Sequence, residues 1–331
     1  ILKLVLSCLT RLTVPTYRPP TDTNKMFAPN HPLQPFLLLL LLLLLLTTST
    51  IAFKPVIMMH GVGSSASEMA TIQRLLLTRD NTTIVTSLPL FEGKPASWDH
   101  DLQTQIDGVT SYIRALVTKD PSSYQHGYHL VCKSQGALTC RMVIENMNDH
   151  NVDTFVSLAG PQQGVFGVAF FQSLKKYGLP DWLIQGTADI MWRVAYNFLG
   201  QKISVANIWR DPHHLDEYEK HSIVLPTFTE KATSTMKTNF LRLRRAVFCV
   251  GSGSSYDGGI EPWQTGVWGS WNATGGMVNM TEQNFYLEDT FGLKTLDESG
   301  RLNLTIVKGA RHGDWTGNED IIEKYVLPHC T

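Results

Sequence analysis

The stretch Tyr128-His-Leu-Val-Cys-Lys-Ser134-Gln-Gly136 decides the fold of this chain. An apolar run ends here at a serine between small flanking residues, and residues 135–148 have the character of a helix. This layout predicts a nucleophile elbow, the sharp strand-to-helix turn G-x-S-x-G that exposes a serine hydroxyl, with Cys132 at the place of the first glycine. A polar turn between a buried strand and a helix is the alternative interpretation, because short motifs of this kind also occur by chance.

The groups that would activate such a serine follow later in the chain, each just after a predicted strand. Asp257 lies in the glycine-rich loop after the strand Ala246–Val250, and His312 follows the strand Leu302–Val307. A serine hydroxyl becomes a nucleophile when a base takes its proton, and the base needs an acid that fixes its tautomer. The order serine, acid, histidine is that of the α/β-hydrolase fold. We therefore predict Ser134, Asp257 and His312 as the catalytic triad.

The tetrahedral intermediate of acyl transfer also needs two backbone donors for its oxyanion. One is the N–H of Gln135, the residue after the nucleophile. The other comes from the loop after an early strand, which opens with His60-Gly61, and its position predicts Val62.

Competing assignments are weaker. Glu261 is an alternative to Asp257 as the acid, and His329 lies too close to the C-terminus to reach a site. A metal site is not predicted, since nothing distant completes the short run of candidate ligands with zinc-like spacing. That run consists of Asp211, His213, His214 and Asp216.

Strands alternate with helices from Phe53 to about Gly160, and the alternation resumes at Ala246. This predicts an α/β-hydrolase fold with a mostly parallel sheet flanked by helices, formed by one domain over residues 53–331. Residues 165–245 between the two parts are predicted as a largely helical cap insertion. An acyl chain would lie under this cap, although core packing is the alternative for each apolar residue assigned to it. The predicted acyl-binding residues are Val165, Phe166, Phe170, Phe171, Trp182 and Leu183.

Residues 1–52 are predicted as an N-terminal leader. Leu37–Leu46 is an unbroken leucine run of the length of a signal-peptide h-region, and Thr50 and Ala52 would suit a cleavage site. An uncleaved membrane anchor is the alternative. Met26 is a candidate initiator. We expect no permanent membrane span once the leader is removed.

The composition is that of a globular protein with a large core, with 43% hydrophobic and 17% charged residues among 331. A net charge of −1 offers no electrostatic argument for nucleic-acid binding.

Four sequons are consistent with a secretory route, at Asn81, Asn272, Asn279 and Asn303. The four cysteines beyond the leader permit two disulfides in an oxidising compartment. Cys132 and Cys140 flank the elbow serine, either as a disulfide or as two free thiols.

Several stretches of the chain resemble palmitoyl-protein thioesterases, from about Lys54 to Pro328. They are His129-Leu-Val-Cys-Lys-Ser-Gln-Gly136, Asp149-His-Asn-Val-Asp153, Ser157-Leu-Ala-Gly-Pro-Gln-Gln-Gly-Val-Phe-Gly167, Trp209-Arg-Asp-Pro-His213, Pro262-Trp-Gln264 and Phe291-Gly-Leu-Lys294. The chain is closest to the second animal branch of this family and has features of the first. The resemblance implies a lysosomal, glycosylated α/β-hydrolase that removes long-chain acyl groups from cysteine thioesters. We expect no cofactor.

The resemblance also assigns single residues. The family triad falls on Ser134, Asp257 and His312, and the second branch has a cysteine pair at positions 132 and 140, which implies a disulfide there. Lys133 departs from the family, whose members usually have an aromatic residue at this position, and Ala137 replaces the second glycine of its S-Q-G-G motif.

The expected substrates are S-acylated proteins or peptides, or acyl-CoA. A lipase, an esterase or an acyltransferase on oxygen esters is an alternative, because it would use the same triad. A hydrolase-fold lipid-binding protein with an inactive triad is the non-enzymatic alternative.

Overall fold

The computed structural model of the chain describes residues 53–167, 169–170, 172, 175, 188–254 and 257–330. The predicted leader lies outside these ranges, so the signal peptide and its cleavage site stay predictions. Every helix in the described ranges is too short or too polar to cross a bilayer.

Strands and helices alternate through the first half of the domain. In chain order they are β1 (Val56–Met59), α1 (Ala70–Arg79), β2 (Val85–Ser87), α2 (Ala96–Asp99), α3 (Leu102–Lys119), α4 (Pro121–Tyr124), β3 (Tyr128–Lys133), α5 (Gln135–Asn146) and β4 (Val152–Leu158). A 3₁₀ helix, Ala66–Met69, leads into α1. This part of the chain has the alternation that the sequence predicts.

The next described segment contains helices and no strand of the sheet. These helices are α6 (Ala188–Ala195), α7 (Ser204–Asn207), α8 (Leu215–His221) and α9 (Ser234–Phe240). The remaining elements are β5 (Arg245–Ser252), β6 (Ser270–Trp271), β7 (Met277–Val278), α10 (Asn284–Leu287), α11 (Leu293–Glu298), β8 (Leu302–Lys308), α12 (Asp314–Gly317) and α13 (Glu319–Tyr325). The role of residues 165–245 as a cap stays a prediction.

The six-stranded sheet has the order β2-β1-β3-β4-β5-β8, and every neighbouring pair is parallel. In a parallel sheet all strands end at the same edge, so the loops that follow them meet there. The loops after β1, β3, β5 and β8 carry Val62, Ser134, Asp257 and His312 respectively. This topology, with helices packed on the sheet, confirms the predicted α/β-hydrolase fold.

Helix α5 is the central helix of the domain and is buried from Gln135 to Glu145. Its buried charges are paired: the Arg141 Nη1 donates to Glu145 Oε1 at 2.6 Å and to the Phe228 carbonyl at 2.7 Å. Arg141 Nε donates to Gln162 Oε1 at 3.0 Å, and the guanidinium lies 5.2 Å from the centre of the Trp268 ring. Arg141 therefore joins the helix behind the elbow to the segment between β4 and β5.

His150 ties the chain just after α5 to helix α9. Its Nε2 lies 2.9 Å from the Asn239 carbonyl, and its Nδ1 accepts the Val152 N–H at 3.2 Å. The imidazole must therefore be neutral, with the proton on Nε2. Burial lowers the pKa of His150 to about 4, although the Asn239 hydrogen bond opposes this shift.

We expect this histidine to make the free energy of unfolding fall on acidification. Because the unfolded chain binds the proton more tightly, stability from His150 is fully present above pH 6.5 and falls between pH 6.5 and about 4, by up to about 1.4 kcal/mol per pH unit. Chemical denaturation at pH 7 and pH 5 should therefore give a smaller difference for His150→Gln than for the wild type. The exposed His126→Gln serves as the control, and equal pH differences in wild type and His150→Gln would contradict the assignment.

Candidate active site

Ser134 lies at a sharp turn between β3 and α5, with a φ of 54° and a ψ of −130°. Two close approaches make this turn possible. A Cβ atom on Gly136 would lie 2.1 Å from the His60 carbonyl oxygen, and one on Gly61 would lie 2.9 Å from the Ser134 Cβ. The loop after β1 thus packs directly on the turn, and only glycine fits at these two positions. The turn has the geometry of a nucleophile elbow.

The positive φ of a non-glycine residue stores backbone strain of about 1–3 kcal/mol. We therefore expect Ser134→Gly to be more stable than Ser134→Ala by about 1 kcal/mol, after the greater entropy that glycine gives the unfolded chain. Both variants lack the hydroxyl, so the comparison isolates the Cβ atom. The free energy of unfolding from urea titration measures it, and a Ser134→Ala variant that is more stable than Ser134→Gly would show that the turn is unstrained.

Asp257 and His312 form a buried pair beside this turn. His312 Nδ1 lies 3.0 Å from Asp257 Oδ2, and the other carboxylate oxygen, Oδ1, accepts the N–H groups of Gly259 and Ile260, each at 2.8 Å. Burial alone would raise the pKa of Asp257, but the His312 imidazole and the two N–H groups more than offset it, so the pKa lies below its ordinary value. The carboxylate is therefore ionised and leaves His312 Nε2 as the free nitrogen of the ring.

Gly259 is required where the imidazole lies against the Asp257 loop. A Cβ atom at this position would be 2.2 Å from His312 Cγ. The His312 N–H also donates to the Asp257 carbonyl at 2.8 Å, so backbone and side chain together hold the two residues.

Ser134 and His312 line one cavity of about 260 Å³. The loop after β1 completes its wall, so the parallel sheet brings the predicted nucleophile, base and oxyanion loop together. Ser134 and His312 are not directly hydrogen-bonded in the described structure, and such contacts commonly tighten only when substrate binds. The lining residues are Gly61, Val62, Gly63, Ser64, Glu68, Lys133, Ser134, Gly258, His312 and Gly313.

The N–H groups of the two predicted oxyanion donors are unpaired in the described structure. Within the described residues, the backbone N–H groups of Val62 and Gln135 have no hydrogen-bond acceptor. Gln135 is the first residue of α5, and the N-terminus of a helix favours negative charge. The backbone N–H groups on either side of Val62 already have acceptors, since Gly61 N–H donates to Glu68 and Gly63 N–H donates to Ser97 Oγ.

The Gln135 side chain points away from the cavity into a buried polar network that the sequence analysis did not find. Its Nε2 donates to the Ser97 carbonyl at 2.9 Å and to Gln105 Oε1 at 3.1 Å. Ser204 Oγ, from α7, donates to Gln135 Oε1 at 3.0 Å. The network therefore joins the elbow to α2, α3 and the segment between β4 and β5.

The sequence analysis also did not predict an ion pair that lines the cavity. Lys133 Nζ contacts Glu68 Oε1, and Glu68 Oε2 accepts the Gly61 N–H at 3.0 Å. A signal for it is present in the sequence, because a lysine next to a buried nucleophile needs a counter-ion. Glu68 is the only acidic residue from Phe53 to Arg79.

A disulfide joins Cys132 to Cys140 across the elbow, with 6.6 Å between the Cα atoms. It links the end of β3 to α5 on either side of Ser134, as the resemblance implied. Cys249 and Cys330 are buried free thiols, so the second disulfide that the cysteine count permitted is not formed.

The predicted acyl-binding residues are only partly placed. Val165 pairs with Trp209 in an isolated bridge, and the rings of Phe166 and Phe170 lie 4.9 Å and 6.4 Å from the Trp209 ring. None of these three lines the cavity at Ser134. Phe171, Trp182 and Leu183 lie outside the described residues. Acyl binding by the six residues stays a prediction.

The other predicted sites lie on the surface or in local contacts. Three sequon asparagines are exposed, namely Asn81, Asn279 and Asn303, whereas Asn272 is half-buried. Asp211 accepts the His213 N–H and contacts His214 Nδ1 at 3.1 Å, which is a local hydrogen-bonded turn. No group of three or more metal-binding side chains is placed to hold an ion in the part of the chain that the structure describes.

Comparison with known proteins identifies relatives of this chain. The profile of the palmitoyl protein thioesterase family matches residues 55–312. Lysosomal thioesterase PPT2 of Homo sapiens is 34% identical over 282 residues, which cover 84% of this chain and 88% of that protein. The lysosomal thioesterase PPT2 homolog of Drosophila melanogaster is 31% identical over 287 residues, covering 85% and 93% of the two chains.

Solved structures give a weaker similarity. A monoacylglycerol lipase of Paleococcus ferrophilus is 15% identical, with a TM-score of 0.41 over 83% of this chain and 96% of that one. A TM-score this low is not evidence about this chain. The fold is identified from the strand order described above.

The family profile covers more than half of the chain, and these relatives share more than 30% identity over most of it. Their names support the predicted acyl thioesterase activity and lysosomal localisation. The chain therefore belongs to the palmitoyl protein thioesterase family.

Proposed function

We propose that the chain hydrolyses long-chain acyl thioesters of cysteine, in S-acylated proteins or peptides or in acyl-CoA, through an acyl-enzyme on Ser134. The observation that supports this most is the buried Asp257–His312 pair, whose histidine lines the same cavity as a serine on a strained elbow. Ionised Asp257 keeps the proton of the imidazole on Nδ1, so Nε2 is free to accept the serine proton.

In the acylation step, His312 Nε2 takes the proton of Ser134 as Oγ attacks the thioester carbonyl. The carbonyl oxygen becomes an oxyanion that accepts from the N–H groups of Val62 and Gln135. When the tetrahedral intermediate collapses, the C–S bond breaks, and the thiolate leaves as a thiol with the proton from His312. The acyl group is then an ester of Ser134.

In the deacylation step, water takes the place of the thiol. His312 Nε2 removes a proton from the water as its oxygen attacks the ester carbonyl, and the same two N–H groups hold the oxyanion. Collapse returns the proton to Ser134 Oγ and releases the fatty acid. The imidazolium formed in each step is stabilised by Asp257, whose second oxygen is held by two backbone donors.

A comparison of two substrates tests the thioesterase proposal. Palmitoyl-CoA and a palmitoyl oxygen ester, each offered to purified protein as monomers below their micellar concentrations, should give a higher kcat/KM for the thioester. A higher value for the oxygen ester would favour a lipase or esterase, and transfer to an added alcohol in preference to water would favour an acyltransferase.

A serine-directed fluorophosphonate probe tests the mechanism against the alternative of an inert lipid-binding protein. The wild type should be labelled at mildly acidic to neutral pH, and Ser134→Ala should not. Ser122→Ala, which removes an exposed hydroxyl outside the cavity that contains Ser134, is the matched control. An unlabelled wild type, or labelling that survives in Ser134→Ala, would overturn the proposed nucleophile.

A further inference from the structure

Lys133 is a buried cation next to Ser134, with only 6% of its surface exposed. A buried ammonium is stable only when its charge is paired. Its partner is Glu68, whose side chain is 19% exposed and comes from the 3₁₀ helix Ala66–Met69. Both side chains line the cavity that contains Ser134 and His312.

The Glu68 carboxylate joins two parts of the proposed site. One oxygen contacts Lys133 at the end of β3, and the other accepts the Gly61 N–H at 3.0 Å. Gly61 begins the loop that carries Val62, and its backbone packs against the Ser134 Cβ. Glu68 therefore fixes the peptide group just before the predicted oxyanion donor, relative to the residue just before the predicted nucleophile.

The other hydrogen bonds of this loop explain why its anchor matters. Gly63 N–H donates to Ser97 Oγ at 2.7 Å, and Ser64 N–H donates to the Gly61 carbonyl at 3.3 Å. With Gly61 held by Glu68, the donors on both sides of Val62 are occupied, and the Val62 N–H is the one left for a ligand. Without the carboxylate, the Gly61 N–H becomes a second free donor and the loop loses its tie to β3.

We infer that Glu68 and Lys133 are positioning residues, which hold the oxyanion loop against the elbow by a carboxylate shared between the Gly61 N–H and the Lys133 ammonium. The inference rests on the proposed function, because it assigns these residues to the same site. They act through the Val62 N–H and need not touch the substrate.

The pair also bears on how the site works in acid. Burial alone would raise the pKa of Glu68, but Lys133 and the hydrogen bonds from Gly61 and Ser64 more than offset it, so the pKa lies below its ordinary value. Glu68 thus keeps its charge as the pH falls toward 4.5. If the ammonium is removed, burial remains, the pKa rises, and the carboxylate takes up a proton at a higher pH.

Other charged groups around Glu68 leave this expectation in place. Glu92 accepts the Ala66 N–H at 2.7 Å and is directed at the backbone of the 3₁₀ helix. Buried His60 is held by the Gly61 and Leu90 carbonyls, and His312 faces the same cavity. Lys133 is the cation that contacts the carboxylate in the described structure.

The test measures kcat and KM from pH 4 to pH 8 for Glu68→Gln, Lys133→Met and the double variant, with an acyl-CoA substrate. Glu68→Gln keeps the shape of the side chain. It should lower kcat about 10-fold at every pH and leave KM nearly unchanged. This loss is smaller than the loss of about 10²–10³-fold in kcat that follows removal of an oxyanion donor. Lys133→Met should lower kcat at pH 8 by less than Glu68→Gln does, because the charged Glu68 still accepts the Gly61 N–H. It should lose further activity at a higher pH than the wild type as the medium is acidified. The double variant should match Glu68→Gln and lack this added acid loss.

Lys237→Met is the matched control, since it removes a lysine paired with Asp289 at 2.7 Å outside the cavity and should leave the pH profile unchanged. A wild-type kcat for Glu68→Gln, or an acid limb that Lys133→Met does not move, would overturn the inference. Should Glu68→Gln fail to fold, as judged by circular dichroism, the acid limb of Lys133→Met still decides. Fluorophosphonate labelling lost in Ser134→Ala would separate either outcome from a failure of the proposed nucleophile.

Discussion

Asp257→Asn is expected to lower kcat about 10⁴-fold while the fold and substrate binding are retained. The reason lies in how the carboxylate is held. Oδ1 accepts the N–H groups of Gly259 and Ile260, so the amide oxygen of an asparagine must take that place. Its NH₂ group then faces His312 Nδ1, which has to become an acceptor. The proton moves to Nε2, the nitrogen that should receive the Ser134 proton.

This result is measured by steady-state kinetics together with the free energy of unfolding. The exposed Asp149→Asn is the control, because its carboxylate binds Arg114 on the surface and not a catalytic group. We expect Glu261→Gln to keep far more activity than Asp257→Asn. A larger loss in Glu261→Gln would transfer the role of the acid to Glu261, the alternative that the sequence left open.

Arg141→Met is expected to destabilise the protein by about 3–5 kcal/mol at neutral pH, the largest effect on stability that we predict. It removes the cation from a pair whose side chains are both fully buried. Glu145 would be left buried without its cation, so that folding at neutral pH has to protonate it or bury its charge uncompensated, and the Phe228 carbonyl and Gln162 would each lose a donor. Helix α5, which begins at the proposed nucleophile, would lose its main polar contact with the segment between β4 and β5.

The loss from Arg141→Met should become smaller in acid. Burial raises the pKa of Glu145 in the wild type even against the opposing effect of Arg141, so its removal raises the pKa further. An acid whose pKa is raised in the folded state stabilises that state at low pH, and this contribution is lost as the pH rises from about 4.5 through the folded pKa. Denaturant titrations at pH 5 and pH 8 should show the difference.

Two further variants serve as controls for this prediction. Arg141→Met/Glu145→Leu removes the orphaned charge and should recover most of the stability, since apolar replacement of a buried pair is often neutral. Arg114→Met breaks the exposed pair with Asp149 and should cost less than about 1 kcal/mol. A loss in Arg141→Met no greater than that of Arg114→Met would show that the buried pair contributes little.

The sequence alone predicted the elements and the order of the residues that matter most. The elbow stretch, the loop after Val250 and the histidine after Val307 are local patterns, and each follows a stretch whose apolar residues predict a strand. Parallel strands end at one edge, so a correct order of strands already implies that Ser134, Asp257 and His312 meet there. The fold, and the choice of these three residues for the proposed triad, could therefore be inferred without coordinates.

Contacts between side chains that are far apart in the chain were decided only by the tertiary structure. Lys133 looked like an unexplained departure in the sequence, because its partner Glu68 lies 65 residues earlier and no periodic pattern relates them. The same holds for Arg141 with the backbone carbonyl of Phe228 and for the side chains of Gln135 and Ser204. A buried polar group must find a partner, but the sequence does not say which. The packing of one loop on another determines the partner, and here it places Glu68 against Lys133, so that the lysine at the elbow is part of an ion pair.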